Sequence, residues 1–234
     1  MQISVKRDEG YTTYELAEGA YTLLEALQKI KHEIDNTLAF SSGCRSSVCG
    51  SCAMRVNEQE VLACSYKVQD GDRVEPLNNM PVVRDLVVDM DSALQKNANA
   101  KAWIESFAKM ALNHEDEKVN EVQSDCILCG SCYSSCPVYA VNGEFLGPFA
   151  LTRVWKYVSD KREIKPKTKI DTIQQNGIWD CTLCNNCTVV CPQNISSKAD
   201  IEKLRAKSSQ FGYIDPNFGS FGGGFGLGDG DPIF

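Results

Sequence analysis

The chain has 234 residues, of which 43% are apolar and 24% charged, with a formal net charge of −7 and a pI near 5.0. These values are typical of a globular protein, and they exclude nucleic-acid binding because no basic stripe is available to neutralise phosphates. No run of about 18 apolar residues occurs, so no membrane span is predicted. The first ten residues lack an apolar stretch behind a basic tip, so no secretory signal peptide is predicted either.

The cysteine content is the unusual feature of this composition. Twelve cysteines accompany only two histidines, and they fall into three groups of four in which many neighbours are two residues apart. A disulfide framework is one interpretation, but such frameworks belong to oxidising compartments and to much shorter chains. The crowding therefore favours thiolates that converge on metal centres.

Residues 1–97 are predicted to form a small β-rich domain. A capping-box pattern at Thr22 and Glu25 predicts a helix start, and apolar residues at helical spacing continue to Ile34. The order strand–strand–helix followed by short strands predicts an α+β fold of the β-grasp kind, although periodicity alone does not separate it from other α+β folds. The predicted strands and turns are Ile3–Lys6, Thr12–Leu16, a hairpin with arms Ala53–Val56 and Val61–Ala63 around residues 57–60, and a turn at residues 70–72.

The first cysteine group lies in this domain. Its members, with four, two and eleven residues between them, are Cys44, Cys49, Cys52 and Cys64. This is the plant-type spacing of a [2Fe–2S] site, with a shortened final gap. Gly43 and Gly50 are expected to let the backbone approach the sulfurs closely. Four thiolates also bind zinc, but the four-then-two spacing is uncommon at zinc sites.

Residues 98–207 are predicted to form an all-helical domain, separated from the first by the polar stretch at residues 95–100. Residues 103–111 are amphipathic and are expected to be helical, a longer helix is predicted to begin at Pro148, and a last one to run from Ser197 through Leu204. Residues 208–234 are rich in glycine and phenylalanine and cannot form a core of their own. Five phenylalanines favour a tail that orders on a partner subunit over a merely flexible extension.

Two further cysteine groups are predicted in loops of the helical domain. Each has two, two and three residues between its cysteines and a proline directly after the fourth, as in bacterial ferredoxins. In such runs the first three sulfurs bind one cluster and the fourth binds the other. One predicted [4Fe–4S] site is therefore formed by Cys126, Cys129, Cys132 and Cys191. The other predicted [4Fe–4S] site is formed by Cys136, Cys181, Cys184 and Cys187.

The remaining chemistry-bearing residues give no catalytic pattern. His32 and His114 lie among charged and polar neighbours and are expected to be solvated. No dinucleotide or phosphate-binding fingerprint occurs, because the glycine-rich tail neither follows a strand nor opens a helix. The sequence thus predicts a protein that moves electrons and holds no group that converts a substrate.

At these residues the sequence resembles the iron–sulfur subunit of the complex II family, the succinate dehydrogenases and fumarate reductases. Beside the cysteine groups, the resemblance is carried by LLEALQKIKHEIDNTLAF, PLNNMPVVRDLVVDM and FLGPFALTRVWKYVSDKRE, and it spans residues 1–206 in unbroken order. It implies a β-grasp [2Fe–2S] ferredoxin domain docked on an FAD-containing flavoprotein subunit, followed by a helical ferredoxin-like domain. A membrane-anchor or cysteine-rich, quinone-reactive subunit is the second implied partner.

Two departures from the usual family pattern are visible. The position of Cys184 is usually not cysteine, and the last centre is then [3Fe–4S]; in this chain that alternative would use only Cys136, Cys181 and Cys187. The tryptophan and histidine positions beside the quinone pocket of usual members match Ala140, Val141 and Thr182 here. Both departures resemble the haem-lacking branch that includes methylmenaquinol-type fumarate reductases, for which a second [4Fe–4S] cluster is expected.

Other functions stay open at this point. The sequence also fits a thiol-dependent fumarate reductase or a heterodisulfide-reductase-like complex, and less well a free ferredoxin, a redox sensor or a zinc-ribbon protein. The expected location is peripheral, on the inner membrane through partners. The cytoplasmic side is expected, and the periplasmic side requires export with a partner that carries a twin-arginine signal.

Overall fold

The structure, a computed structural model, describes residues 1–17 and 19–216. Its N-terminal part is built on five strands: β1 (Gln2–Arg7), β2 (Gly10–Glu15), β3 (Ala53–Val56), β4 (Gln59–Leu62) and β5 (Asp72–Glu75). They form one mixed sheet in the order β2–β1–β5–β3–β4, in which only the β1–β5 pair is parallel. A separate ribbon joins β6 (Val82–Arg84) to β7 (Val87–Val88).

One helix, α1 (Leu23–Lys29), packs on this sheet. Thr22 caps it, with both hydrogen bonds of the predicted capping box present. Leu23 and Leu27 are fully buried in one core with Ile3 and other inward-facing strand residues. The predicted apolar face ends earlier than expected, because residues 30–34 form a π-helical turn and the side chain of Ile34 is 53% exposed. The wider turn rotates that residue off the buried face.

The hairpin between β3 and β4 is tighter than predicted. Val56 pairs with Gln59, so the loop contains only Asn57 and Glu58 rather than four residues. Both have a positive φ, 49° and 70°, which is the backbone of a two-residue hairpin turn. The Asn57 side chain fixes the turn, since its amide donates to Asp72 and its oxygen accepts from the Arg73 N–H.

The half-buried cation Arg7 ties the sheet to the loops around it. The Arg7 guanidinium donates to Asp85 Oδ1 at 2.7 Å, to Asp35 Oδ2 at 2.5 Å and to the Tyr14 hydroxyl at 2.6 Å. Hydrogen bonds from Thr37, Tyr14 and Arg7, in that order, hold the pKa of Asp35 well below its usual range. Asp85 is almost fully buried, with 2% of its side chain exposed, so its charge depends on Arg7.

The second part of the chain is helical. Its helices are α2 (Asp91–Asn99), α3 (His114–Lys118), α4 (Glu121–Ser124), α5 (Ser131–Ser134), α6 (Pro137–Val141), α7 (Pro148–Val158), α8 (Pro166–Thr172), α9 (Asn186–Val189) and α10 (Ser197–Gln210). The predicted helix start at Pro148 is confirmed, and Leu151 and Val154 of α7 are fully buried in the centre of the second core. The predicted α+β class is therefore confirmed. The stretch at residues 95–100 lies within and just after α2.

The expected helix at residues 103–111 is wrong. This segment is extended, with Phe107 bridged antiparallel to Glu163, and its backbone pairs with residues 162–164. The cause is a fully buried ion pair between Lys169 and Glu163 at 2.5 Å. The Glu163 carboxylate also accepts the Glu105 N–H at 2.8 Å, which holds the segment away from helical geometry.

The described residues contain no helix that is both long enough and apolar enough to cross a bilayer. Helix α10 continues to Gln210, three residues into the segment that was predicted to be a tail. Beyond it, the Tyr213 hydroxyl donates to Asp171 on α8 at 2.7 Å. Residues 217–234, which include four of the five tail phenylalanines, lie outside the described residues, so contact of the tail with a partner stays a prediction.

We expect Arg7→Met to destabilise the protein by at least about 3 kcal/mol, because it leaves the buried Asp85 carboxylate unpaired. For a chain of this size, the thermal midpoint should fall by about 6 °C or more. Circular dichroism of the anaerobically purified protein measures it. Arg84→Met is the matched control, since Arg84 is 54% exposed and lies 3.9 Å from the same carboxylate. Equal thermal midpoints for the two variants would contradict the role of Arg7 as the stabilising partner of Asp85.

Candidate functional site

The loop that carries the first cysteine group turns its backbone N–H groups towards sulfur. Cys44 Sγ accepts from the N–H groups of Ser46, Val48 and Cys49 at 3.3 to 3.4 Å. A further N–H, from Ser47, reaches the sulfur of Cys64 at 3.3 Å. Positive φ values at residues 45 and 47 alternate with ordinary ones, which is the backbone of an anion-binding nest. The loop is thus shaped to surround negatively charged sulfurs.

These donors change the acidity of the thiols. The hydroxyl of Ser51, followed by backbone N–H groups, lowers the pKa of Cys49 to about 6. Burial acts to raise the pKa of Cys64, but the hydroxyl and N–H of Ser47 outweigh it and the pKa is lowered. Cys52 is buried, and burial raises its pKa to about 11. A cationic centre is therefore needed if all four sulfurs are to be thiolates at neutral pH.

Two glycines make room in this loop. A Cβ on Gly43 would lie 2.8 Å from Cys49 Sγ. Gly50 has a φ of +72°, and a Cβ there would lie 2.8 Å from Cys129 Cβ and 2.9 Å from the Ile127 carbonyl. The loop of the first site therefore touches the backbone of the second cysteine group, with no side chain between them.

The second and third groups have the same local backbone. Leu128 and Leu183, which follow the first cysteine of each group by two residues, have φ values of 53° and 55°. Gly130 and Asn185 both have a left-handed backbone conformation and are the N-cap residues of the four-residue helices α5 and α9. This repeat explains the spacing, because the left-handed turns bring the first three cysteines of each run to one side of the loop. Pro137 then starts α6 directly after the fourth cysteine of the second group.

The structure places the eight cysteines of the second and third groups around two cavities. These two small cavities lie in the helical part, and each has four cysteines in its wall. The first cavity is lined by Cys126, Cys129, Cys132 and Cys191. The second cavity is lined by Cys136, Cys181, Cys184 and Cys187. Most other wall residues are apolar, among them Phe149 in the first and Phe145 in the second.

Burial opposes ionisation in both cavities. It is the largest cause that raises the pKa of six of the thiols, and it raises that of Cys187 to about 12. Neighbouring cysteines raise these pKa values further, as Cys129 does for Cys132. Such sulfurs are stable as thiolates only around a strongly cationic core, so the donor set fits iron–sulfur clusters. The other five thiols of this set are Cys126, Cys129, Cys132, Cys136 and Cys181.

The structure does not support a disulfide framework. All twelve sulfurs are free thiols, so the disulfide interpretation has no pair to rest on. His32 and His114 are exposed, as expected from their polar neighbours.

The three sites follow one another in space. The first touches the second through Gly50 and Cys129, and Gln193, two residues after Cys191, donates its side-chain amide to the Ser47 carbonyl at 3.1 Å. The second site adjoins the third: the carbonyl of Ser135, which lies between Cys132 and Cys136, accepts a hydrogen bond at 3.3 Å from the side-chain amide of Asn186, next to Cys187. Sequence reasoning missed Gln193 and Ser47, since neither has a motif signal and they lie 146 residues apart.

Comparison with known sequences agrees with this division into two domains. A family model described as a 2Fe-2S iron-sulfur cluster binding domain matches residues 2–95, and one described as a 4Fe-4S dicluster domain matches residues 122–195. The fold and the cysteine sites thus define the class: an iron–sulfur protein with a two-iron domain followed by a dicluster domain.

Similar proteins narrow this class to one family. The chain is 35% identical to the 8-methylmenaquinol:fumarate reductase iron-sulfur subunit of Wolinella succinogenes, over 91% of this chain and 74% of that protein. It is 36% identical to the fumarate reductase iron-sulfur subunit of Escherichia coli O157:H7, over 84% and 85% of the two chains. A chain of the Mycobacterium smegmatis Sdh1 complex has the same fold, with a TM-score of 0.78 at 22% identity, covering 92% of this chain and 98% of that one. The protein belongs to the iron–sulfur subunits of the succinate dehydrogenase and fumarate reductase family.

We expect Gly50→Ala to disturb two sites at once, because its methyl group meets the backbone at Ile127 and Cys129. The two-iron and four-iron absorption and electron paramagnetic resonance (EPR) signals should both lose intensity or change shape. Gly71→Ala is the matched control: it has a φ of +84°, and nothing lies within 4 Å of its added Cβ. If both variants kept wild-type spectra, the close approach of the two loops would be refuted.

Proposed function

We propose that the chain is the electron-transfer subunit of a succinate dehydrogenase or fumarate reductase complex. It relays electrons between an FAD-containing flavoprotein subunit, which holds the succinate and fumarate site, and a membrane-anchor or cysteine-rich, quinone-reactive subunit. The single observation that carries this proposal is the proximity of the three cysteine sites: the loop of the first meets the second at Gly50 and Cys129, and a hydrogen bond from Asn186 to Ser135 joins the second to the third. The names of the relatives supply the reaction, since they are subunits of fumarate reductases.

We assign three clusters to the three sites. A [2Fe–2S] cluster is held by Cys44, Cys49, Cys52 and Cys64. The first [4Fe–4S] cluster is held by Cys126, Cys129, Cys132 and Cys191. The second [4Fe–4S] cluster is held by Cys136, Cys181, Cys184 and Cys187. When bound, these groups supply one-electron carriers in a row, while the chain positions them and excludes water from the last two.

The residues around the sites support a relay rather than a substrate-converting centre. The first site lies in an exposed loop, where Cys44 and Cys49 are accessible to a partner. The third site reaches the surface through Cys184, and Val141 of α6, five residues after Cys136, is almost fully exposed. Electrons can therefore enter from one partner and leave to another without either partner reaching the buried middle site.

The location follows from the partners in this proposal. The chain is held peripherally at the inner membrane by its partner subunits, on the cytoplasmic side. Accessibility of a tag on this chain to protease in right-side-out and inverted vesicles distinguishes this side from the periplasmic one. Cleavage only in inverted vesicles supports the cytoplasmic side.

A second candidate function is suggested by one relative. The chain is 35% identical to a subunit of the fumarate reductase (CoM/CoB) of Methanothermobacter marburgensis, an enzyme named for thiol substrates. This chain covers only 39% of that protein, so more than half of the relative has no counterpart here. A thiol-linked activity would use a thiol-reactive site outside the part of the relative that this chain matches.

Purification of the chain with its native partners tests the proposed function. We expect a complex that contains flavin, oxidises succinate with an artificial acceptor and reduces fumarate with a quinol donor. Fumarate reduction by dithiols but not by quinols would favour the second candidate. A lone monomer on gel filtration, without flavin or either activity, would contradict both, and zinc in place of iron would point to an interaction protein.

The ligand assignment predicts different effects for two equivalent cysteines. Cys129 and Cys184 occupy the second position of the two runs. Cys184→Ser should convert only the last cluster towards a three-iron form that is paramagnetic when oxidised, whereas Cys129→Ser should change only the middle one. Low-temperature EPR of oxidised and reduced protein measures this, and each variant serves as the control for the other. An unchanged spectrum in Cys184→Ser would show that the last centre is [3Fe–4S] in the wild type.

A further inference from the structure

An acidic residue is buried beside the middle site without the partners that an anion needs. Asp200 on α10 is 1% exposed. Its Oδ1 accepts a hydrogen bond from the side-chain amide of Gln123, on α4, at 2.8 Å. Its Oδ2 is buried and makes no hydrogen bond. The nearest cation, Lys203 one turn further along α10, lies 3.6 Å away, and its side chain is 49% exposed.

Thr152 connects this carboxyl group to the middle site. Its side chain, on α7, forms part of the wall of the cavity that contains Cys126 and Cys191. Thr152 Oγ1 is also buried and makes no hydrogen bond of acceptable geometry, yet the hydroxyl is close enough to lower the pKa of Asp200. Thr152 Oγ1 and Asp200 Oδ2 can pair in either protonation state, since the hydroxyl can donate to the carboxylate and can accept from the protonated acid.

The balance of charges around Asp200 favours a proton. Burial is the largest influence and raises its pKa, and the hydrogen bond from Gln123, the charge of Lys203 and the hydroxyl of Thr152 offset it only in part.

The remaining charges near these helices are engaged elsewhere or exposed. Glu121 of α4 faces solvent, and α9, which packs against α10, carries no charged residue. On α8, Lys169 is paired with Glu163. Lys203 is thus the cation that lies within 4 Å of Asp200 in the described part of the chain, and Asp200 is buried beside a wall residue of the middle site, so the charge of that site can influence its protonation.

We propose that Asp200 is a proton-accepting residue coupled to the redox state of the middle site. For each electron that the partner flavoprotein delivers there, Oδ2 of Asp200 takes up one proton from water; an O–H bond forms, and the proton leaves again on oxidation. The net charge of the buried region then stays constant. The proposal rests on the proposed function only in that an electron must reach this site. Asp200 compensates the charge of the added electron and does not contact a reacting atom.

A redox titration of the middle four-iron centre, followed by EPR at several pH values, tests the proposal on the purified complex. We expect its potential to rise as the pH falls, approaching about 59 mV per pH unit, the tenfold change for a one-electron couple. Asp200→Asn should abolish this dependence. In the Asp200→Asn variant, the potential of the middle four-iron centre should equal the wild-type potential at acid pH. At alkaline pH it should exceed the wild-type potential, because the wild-type residue then carries a negative charge.

Two further variants keep the test decisive if Asp200→Asn folds poorly. Gln123→Leu removes a hydrogen bond that favours the carboxylate, so the pH-dependent window should move to higher pH. Glu202→Gln is the matched control: it removes one negative charge from the same helix, two residues away, at a side chain that is 46% exposed, and it should keep the wild-type slope.

An independent readout is the carboxylic-acid C=O band in infrared difference spectra of reduced minus oxidised protein. It should appear on reduction and be missing in Asp200→Asn. A pH-independent potential in the wild type, or an unchanged slope in Asp200→Asn, would overturn the proposal while the four-iron signals remain. Absence of the four-iron signals themselves would instead overturn the proposed function.

Discussion

The burial of cysteine sulfur is the constraint on which the helical half depends. Six of the eight thiols in its two cavities have pKa values raised by burial, so they cannot be thiolates without a cationic core among them. The short helices α5, α6 and α9 have four or five residues and cannot be stable alone. Their positions are set by the cysteines at their ends, so cluster binding and folding are one process here.

The contact between the two domains depends on the same centres. Besides the close approach at Gly50 and the burial of Leu77 and Met80 in the core of the helical part, polar side chains next to cysteines join the domains. Asn79 donates to the carbonyls of Tyr133 and Ser134 at 3.0 and 2.9 Å, and the Ser134 hydroxyl donates to Glu60 at 2.8 Å. Because these contacts flank the metal-binding loops, the distance between the first and second sites is fixed by the fold and does not depend on a hinge.

The parts that could be predicted from the sequence are those encoded locally. The capping box at Thr22, the helix start at Pro148 and the two repeated cysteine runs each depend on residues within a few positions of one another. The grouping of Cys191 with the distant Cys126 run could be predicted only because the fourth cysteine of such a run has a known role. Each cavity wall contains three cysteines of one run and the fourth cysteine of the other run.

The predictions that failed depended on distant partners. Residues 103–111 have a helical pattern, but Glu105 in this segment is held by the buried Glu163, 58 residues further along the chain. Ile34 left the predicted face because of a π-helical turn that has no sequence signal. Asp200 and Thr152 could not be linked to the middle site from the sequence, since Asp200 is one of many acidic residues until the fold buries it.

The central claim is that one chain holds three clusters in a row, with the fourth ligand exchanged between the last two. An anomalous difference map measured at the iron absorption edge on crystals of the anaerobic complex tests it most directly. We expect peaks for two, four and four iron atoms, with Cys191 bound to the group that contains Cys126 and Cys136 bound to the group that contains Cys181. Single metal ions, or each run binding its own fourth cysteine, would contradict it.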